Sequence, residues 1–354
     1  MPSQKIAIIG CGAIGKVHVD AWSHEPRAHI ACLVDLLPEK AQALLPLCPG
    51  AAVETDYRRM LADPSITAVS VCLPNHLHCP VTLDALRAGK HVLCEKPIAL
   101  NLAEALSMQA EAARAGKILN IGVVNRWHAS VNLIKDMIAK GELGEVYHVS
   151  LSFRAFRSIP GLGGWFTDKK RSGGGVLIDW GVHFIDLALY ALGLPEPRTV
   201  SGVTHARLAK KMEDYKYLNM WAGPPDYKGT SDVEEYVSAM IRTSGPSIAL
   251  EGAWAQNLDK GAMHLDFLGD KAGLRMEYRG AFTVYGTRDG HLYELTPKLA
   301  PKNDYHAEIS GFVDSFLSGK KDRAHIDEVL VSQRILDGVY RSAAEGREID
   351  LRGK

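Results

Sequence analysis

Gly10-Cys11-Gly12-Ala13-Ile14-Gly15 follows the apolar run Lys5–Ile9 and opens a stretch with helical spacing. Three glycines at this spacing between a strand and a helix mark a dinucleotide-binding turn; the same glycines elsewhere would mean little. Gly10 permits the tight turn, Gly12 lets backbone approach a pyrophosphate, and Gly15 lets the helix pack close to the strand. The helix start, with Ala13 and Ile14, offers unpaired N–H groups and a positive dipole end to the phosphates. Asp35 ends a second apolar run, His29–Asp35, twenty residues beyond Gly15. A carboxylate there accepts the ribose hydroxyls and repels a 2′-phosphate. Leu36 and Leu37 follow, with no arginine to welcome that phosphate, so NAD(H) is expected rather than NADP(H). The plainer alternative is a glycine-rich turn with no ligand.

Further apolar runs lie at Ala68–Leu73, His91–Cys94 and Ile118–Val124. They are too apolar to have a wet face, as in parallel strands covered on both sides. Asn101-Leu-Ala-Glu104 reads as a capping box for a helix that Gly116 closes, and Gly89 closes another that starts near His78. Alternating β and α units make residues 1–125 a Rossmann domain, a doubly wound parallel sheet. Beyond it the pattern changes. Ser130–Lys140 is one more helix, and Val146–Arg154 alternates strictly, with Tyr147, Val149, Leu151 and Phe153 on one side. More strand-like runs at 233–242, 247–256, 261–267, 273–278 and 281–285 predict a C-terminal α/β domain, 126–354, with an open, mainly antiparallel sheet. Residues 205–231 read as a long excursion, a functional loop or a subunit contact.

Two domains also suit a length of 354 residues. Lys plus Arg and Asp plus Glu both total 41, and such balance argues against nucleic acid as the main partner. With 46% hydrophobic and 23% charged residues the chain is an ordinary globular sequence. No apolar run approaches the ~20 residues of a membrane span. Met1–Ile6 leads straight into a strand, leaving no room for a signal peptide, so a cytoplasmic location is expected. The six cysteines, all within the first 94 residues, lack metal or disulfide spacing and are expected as buried thiols.

Two other segments carry reactive side chains. In His91-Val-Leu-Cys-Glu-Lys-Pro97, Lys96 directly follows a parallel strand, at the edge where doubly wound folds place ligands. A surface lysine is the ordinary reading; Pro97 makes a specific placement plausible. In Gly173–Asp186, Asp179 and His183 stand four apart, hence on one face of a helix. A carboxylate beside an imidazole orients the ring for general base work. A buried Asp–His pair that merely holds the helix is the rival, and for an isolated pair the commoner case. No third ligand stands out for a metal, and His76-Leu-His78 is no better as a metal pair.

Gly10–Gly15, Pro74-Asn75, Glu95-Lys96-Pro97 and Gly173–Asp186, in this order and spacing, closely resemble the Gfo/Idh/MocA family, the glucose–fructose oxidoreductase and inositol dehydrogenase relatives. Asp232–Tyr236 and Val339-Tyr-Arg-Ser342 also look like that family. The resemblance implies a catalytic set of Lys96, Asp179 and His183, often with a cis peptide before Pro97. It implies that Pro74, Asn75 and His78 line the cofactor, with Glu95 and Lys96 beside the nicotinamide. It also implies a homo-oligomer formed through the C-terminal sheet. The expected function is oxidation of a secondary hydroxyl of a sugar, glycoside or cyclitol; Trp165–His183 and Asp232–Gln256 look like the branch acting on glucosides at C3. Arg126, Arg154 and Trp165 are candidate substrate contacts, with Asp179 and His183. The alternatives are a redox-neutral glycoside-cleaving enzyme that holds its NAD, and a non-catalytic sugar or nucleotide sensor. Trp180 and Gly181 inside the Asp–His interval, and the long excursion, depart from the family pattern.

Overall fold

The computed structural model describes residues 3–352. The chain forms two units, 1–127 with 302–330, and 128–301 with 331–354. The first boundary lies two residues from the expected one, so Arg126 belongs with the first unit. The chain also returns to that unit near its end, which the linear pattern could not show.

The first unit is built on β1 (Gln4–Ile9), β2 (Ala28–Val34), β3 (Ala52–Glu54), β4 (Ile66–Val71), β5 (His91–Glu95) and β6 (Leu119–Gly122). All pair in parallel, in the order β3-β2-β1-β4-β5-β6. The order reverses between β1 and β4, and doubly wound folds bind ligands outside the strand ends at such a switch. Helices α1 (Ala13–Ser23), α2 (Pro38–Gln42), α3 (Tyr57–Leu61), α4 (His78–Arg87) and α5 (Leu102–Ala115) connect the strands. Two apolar clusters, one including Val69, Val92 and Ile121 and the other Ile8, Leu33 and Leu93, account for the apolar character of the strands. Asn101 Oδ1 accepts from Glu104 N, and Gly116 closes α5 at φ +62°, as the capping residues predict. β3 was not expected; three half-exposed residues carry no periodic signal.

The second unit begins with α6 (Ala129–Ala139), β7 (Val146–Arg154) and the short α7 (Lys169–Ser172). After α8 (Val182–Ala191) come β8 (Pro197–His205), β9 (Tyr236–Thr243), β10 (Ser247–Ala253), β11 (Ala262–Gly269), β12 (Ala272–Glu277), β13 (Phe282–Arg288) and β14 (His291–Leu295). With β15 (Ile349–Asp350) these make a nine-stranded sheet, order β14-β13-β12-β11-β7-β10-β9-β8-β15. Only β7 and β10 pair in parallel, so the sheet is mixed and mainly antiparallel. Val149, Leu151 and Phe153 point into the core, where Phe153 meets Phe184 of α8. Tyr147, expected with them, lies at the strand's start and is exposed. β8 and β14 escaped the pattern because their alternation is polar and mostly solvated.

The stretch 169–191 is long and apolar enough to cross a membrane by length and composition, but 83% of its most apolar window is buried, as in a core helix. Near the end of the chain come α9 (Asp304–Ser318), in the first unit, and α10 (Ile326–Glu345), which belongs to the first unit through Leu330 and to the second from Val331. All six cysteines are buried free thiols.

Candidate active site

The glycines of the first turn are needed for different reasons. Gly10 has φ +100°, and a Cβ there would lie 2.3 Å from the Cys72 carbonyl oxygen. A Cβ on Gly15 would lie 2.0 Å from the Gly10 oxygen. The protein itself therefore demands both. A Cβ on Gly12 would meet nothing within 4 Å, so the free space above Gly12 is open to a group from outside the chain. Gly12 caps α1 without a side-chain hydrogen bond, and no acidic residue stands in its first turn. Its N–H groups and dipole end are thus available to an anion. Exposed Ala13 and half-buried Ile14 start the helix. Asp35 Oδ2 accepts from Cys11 N at 2.8 Å and Oδ1 from Leu37 N at 3.0 Å. These bonds fix a carboxylate beside the glycine turn. Open space, free N–H groups and a carboxylate placed for a ribose fit a dinucleotide.

At the next strand ends the side chains divide. Pro74 leads into a single tight turn, Asn75–Leu77, and Asn75 is buried. His78 is buried, its Nδ1 2.7 Å from the Pro97 carbonyl oxygen and its Nε2 2.7 Å from that of Leu73. Burial pushes its pKa down while the two carbonyls oppose the shift. The ring therefore ties the end of β4 to the Lys96–Pro97 turn. The Lys96–Pro97 peptide is cis.

Glu95 also turns inward. His18 Nε2 of α1 donates to its Oε1 at 2.9 Å in the interior, and Lys96 N donates to its Oε2 at 3.2 Å. A Cβ on Gly122 would come within 2.8 Å of Glu95 Oε1. Glu95, expected beside the nicotinamide, also fixes the backbone of half-buried Lys96 from within the unit. Sequence reasoning missed His18, although it lies three residues after Gly15 on the same inner helix face. It also missed Glu308 of α9, a buried carboxyl without a hydrogen-bond partner. Burial, with Glu95, Asp322 and Asp304 nearby, pushes Glu308 well above the usual carboxylate range.

In the second unit, the run Gly173-Gly-Gly175 is explained by what approaches it. Gly173 ends α7 at φ +87°. A Cβ on Gly174 would lie 2.0 Å from Tyr340 Oη, and one on Gly175 1.9 Å from the Glu234 carbonyl oxygen. The buried Glu234 carboxyl accepts from Gly175 N at 2.9 Å, Leu177 N at 3.1 Å and Tyr340 Oη at 2.9 Å. A carboxyl thus caps the start of the helical stretch that carries Asp179 and His183, where the dipole favours it.

That stretch is not a plain α-helix: Leu177–Gly181 is a π-helical turn that continues into α8. Such turns recur at functional sites. Asp179 sits within it, buried, and His183 in the first turn of α8, half-buried, its ring 6.3 Å from that of Tyr278. A Cβ on Gly181 would meet Leu177 Cδ1 at 2.9 Å and Phe153 Cζ at 3.3 Å, so tight packing in the core explains that glycine. Half-buried Trp180 packs against the same core. Asp186 accepts from Ser332 Oγ at 3.0 Å and is structural.

The two arginines expected as substrate contacts have partners within the protein. Arg126 is fully buried; its guanidinium donates to the Arg323 carbonyl and to Glu328 Oε2, the latter at 3.0 Å. Arg154 pairs with Glu251 at 3.0 Å. The alternation of β7 puts Arg154 on the face opposite Phe153, away from α8. Trp165 lies in a loop with its ring centroid 3.7 Å from that of Phe166, which meets Trp221 edge-on at 4.9 Å. Trp221 belongs to the excursion, and Ala222 N and Asp226 N donate to the Pro160 and Leu162 carbonyls. The excursion is therefore laced to the Trp165 loop by backbone bonds.

An open glycine turn at a Rossmann switch point, with a ribose-directed carboxylate, defines a dinucleotide-binding oxidoreductase fold. Residues 4–123 match the family model described as "Oxidoreductase family, NAD-binding Rossmann fold", and residues 131–288 match the GFO/IDH/MocA C-terminal domain. D-glucoside 3-dehydrogenase of Escherichia coli (strain K12) is 30% identical over 353 residues, covering 98% of this chain and 97% of that protein. Among solved structures, aldose-aldose oxidoreductase from Caulobacter crescentus, complexed with glycerol, superposes with a TM-score of 0.82 at 25% identity, covering 98% of this chain and 99% of the other. Levoglucosan dehydrogenase in complex with NADH and levoglucosan shares the fold, with a TM-score of 0.87 at 22% identity, covering 99% and 100%. The chain belongs to the GFO/IDH/MocA oxidoreductase family, and NAD is its cofactor.

Proposed function

We propose that the chain oxidises a secondary hydroxyl of a sugar, glycoside or cyclitol, with C3 of a glucoside as the first position to test. The match over nearly the full length of both chains to a protein named D-glucoside 3-dehydrogenase carries this reading. The presence of Lys96, Asp179 and His183 supports it. Bound NAD+ supplies the hydride acceptor. His183 takes the hydroxyl proton as the C–H bond gives up its hydride and the C–O bond becomes a carbonyl. Asp179 orients that imidazole or holds a neighbouring hydroxyl. The Lys96 ammonium, steadied through its backbone by Glu95, donates to the reacting oxygen and stabilises developing negative charge. Pro74, Asn75 and His78 would line the bound cofactor, with Glu95 and Lys96 beside the nicotinamide, and Trp165 would offer an aromatic face to a sugar ring.

The same proposal includes a cytoplasmic homo-oligomer. Val203, Met240, Leu268 and Tyr285 lie exposed on the sheet face opposite Phe153, interspersed with Ser150, Ser152, Ser201 and Ser238. Such a mixed apolar and polar surface suits a second copy of the same sheet. Sedimentation of the purified chain tests this; a monomer at micromolar concentration would rule it out.

A panel of monosaccharides, cyclitols and aryl glucosides with NAD+, followed by nicotinamide absorbance, tests the activity. Stoichiometric NADH with a secondary alcohol is the expected result. Release of aglycone without net NADH would replace it with the redox-neutral glycoside-cleaving reading. Saturable sugar binding without turnover of any member would leave the sensor.

A further inference from the structure

The C-terminal end of α1 lies against α9, and three side chains there converge. Asp20 lies in the last turn of α1, His24 is its cap residue, and His306 stands in the first turn of α9. The His24 and His306 rings stack with centroids 4.2 Å apart and planes 24° apart. His306 Nε2 lies 3.4 Å from Asp20 Oδ2. Ligand-capable atoms, one from each residue, all lie within 4.8 Å of one another.

We propose that Asp20, His24 and His306 bind a zinc ion, with water completing its coordination. Two imidazoles and one carboxylate are a donor set suited to zinc. His24 Nδ1 donates to the Asp20 carbonyl oxygen at 2.9 Å. A bond of this kind orients a ligating imidazole and leaves Nε2 for the metal. The site also lies at the negative dipole end of α1, where a cation is favoured. Zinc bonds of ~2.0–2.2 Å require the ligand atoms to close to about 3.4 Å, and the stacked rings must turn out of their near-parallel arrangement to aim both lone pairs at one ion. The Asp20 side chain is 57% exposed and that of His306 31%, so the ion exchanges with solvent. Bound there, zinc clips the helix after the glycine turn to the chain segment that returns to the first unit. The linear sequence concealed this cluster because Asp20 and His306 are 286 residues apart.

The metal-stripped, tag-free full-length chain is titrated with zinc chloride by calorimetry and followed by thermal unfolding. One saturable equivalent and a higher unfolding midpoint are expected, since an ion that binds the native state stabilises it. His24→Gln and His306→Gln should each weaken binding by at least about tenfold, the effect already seen on losing an outer partner of a metal ligand. Asp20→Asn serves as a third variant that spares both rings. Cobalt(II) should show visible absorption that zinc displaces and magnesium does not. Absence of saturable zinc binding, or unchanged affinity in all three variants, would overturn the proposal. Neither outcome bears on the dehydrogenase reading, which the substrate panel tests separately.

Discussion

Tyr340 Oη donates to Glu234 Oε1 at 2.9 Å, and both side chains close over Gly174 and Gly175 at the start of the helical stretch that carries Asp179 and His183. Burial and the adjacent Glu234 push the Tyr340 pKa well up, so the phenol keeps the proton it donates. Losing that donor leaves Glu234 under-satisfied in the interior. Tyr340→Phe should therefore destabilise the protein by about 1–3 kcal/mol, the cost of leaving a buried acceptor under-satisfied. Gly175→Ala should cost more, because its Cβ would lie 1.9 Å from the Glu234 carbonyl oxygen and the backbone would have to move. Unfolding midpoints in urea check both; a Gly175→Ala protein of ordinary stability would disprove the packing argument.

The glycine turn gives a sharper contrast. Gly15→Ala would drive a Cβ into the Gly10 oxygen and should cost at least about 2–3 kcal/mol of stability. Gly12→Ala meets nothing, so its stability should change by no more than about 1 kcal/mol, the range of changes at a helix cap. Yet Gly12→Ala should weaken NAD(H) binding by tenfold or more, roughly 1.4 kcal/mol. Calorimetry of NADH binding to a folded Gly12→Ala protein decides it: undiminished affinity would mean the open space is not where the pyrophosphate lies.

Asp35 holds the turn through Cys11 N, and the proposed cofactor site gives it the ribose as well. Asp35→Ala should raise KM for NAD+ by roughly 10–100-fold, the worth of a charge-assisted hydrogen bond, and relax rejection of NADP+. Steady-state kinetics with both cofactors measure this. Equal use of NAD+ and NADP+ by the unmutated chain would contradict the ribose assignment.

His183→Ala should lower kcat by about 10²–10⁴-fold, the range for a general base. Lys96→Ala should lower it by roughly 10²–10³-fold, as for removal of one donor to a developing oxyanion. Both should still bind NADH in a fluorescence titration. Full turnover by both variants with the best substrate would end the catalytic assignment.

Glu308 predicts a pH effect. Its folded pKa is raised by burial and by Glu95, Asp322 and Asp304, so the folded state holds a proton that the unfolded chain releases. The associated stability is complete below the ordinary glutamate pKa and is lost as pH rises through the raised value. Glu308→Gln mimics the protonated carboxyl at every pH. Its unfolding midpoint should gain on the unmutated chain as pH rises from 5 to 8. A midpoint difference that does not change with pH would show that Glu308 is not held protonated.

Much of this protein was legible from local chemistry. Turns, caps and alternation act over a few residues, so Gly10–Gly15, the Asn101 cap and the inward face of β7 announced themselves. So did the four-residue interval between Asp179 and His183, although the π-helical turn beneath Asp179 did not. Short or solvated strands such as β3 and β14 left no trace, because their periodicity carries no burial.

What tertiary structure alone decided is which polar groups spend themselves inside the protein. His78 faces two backbone carbonyls, Glu95 turns to His18, Arg126 to Glu328, and Glu234 caps a helix start 57 residues before it in the chain. A buried polar group must find a partner, but the partner is chosen by proximity in space, and sequence separation carries no record of that choice. Residue type and spacing determined the cofactor turn and the class of chemistry, whereas folding determined which of the candidate side chains were left to perform it.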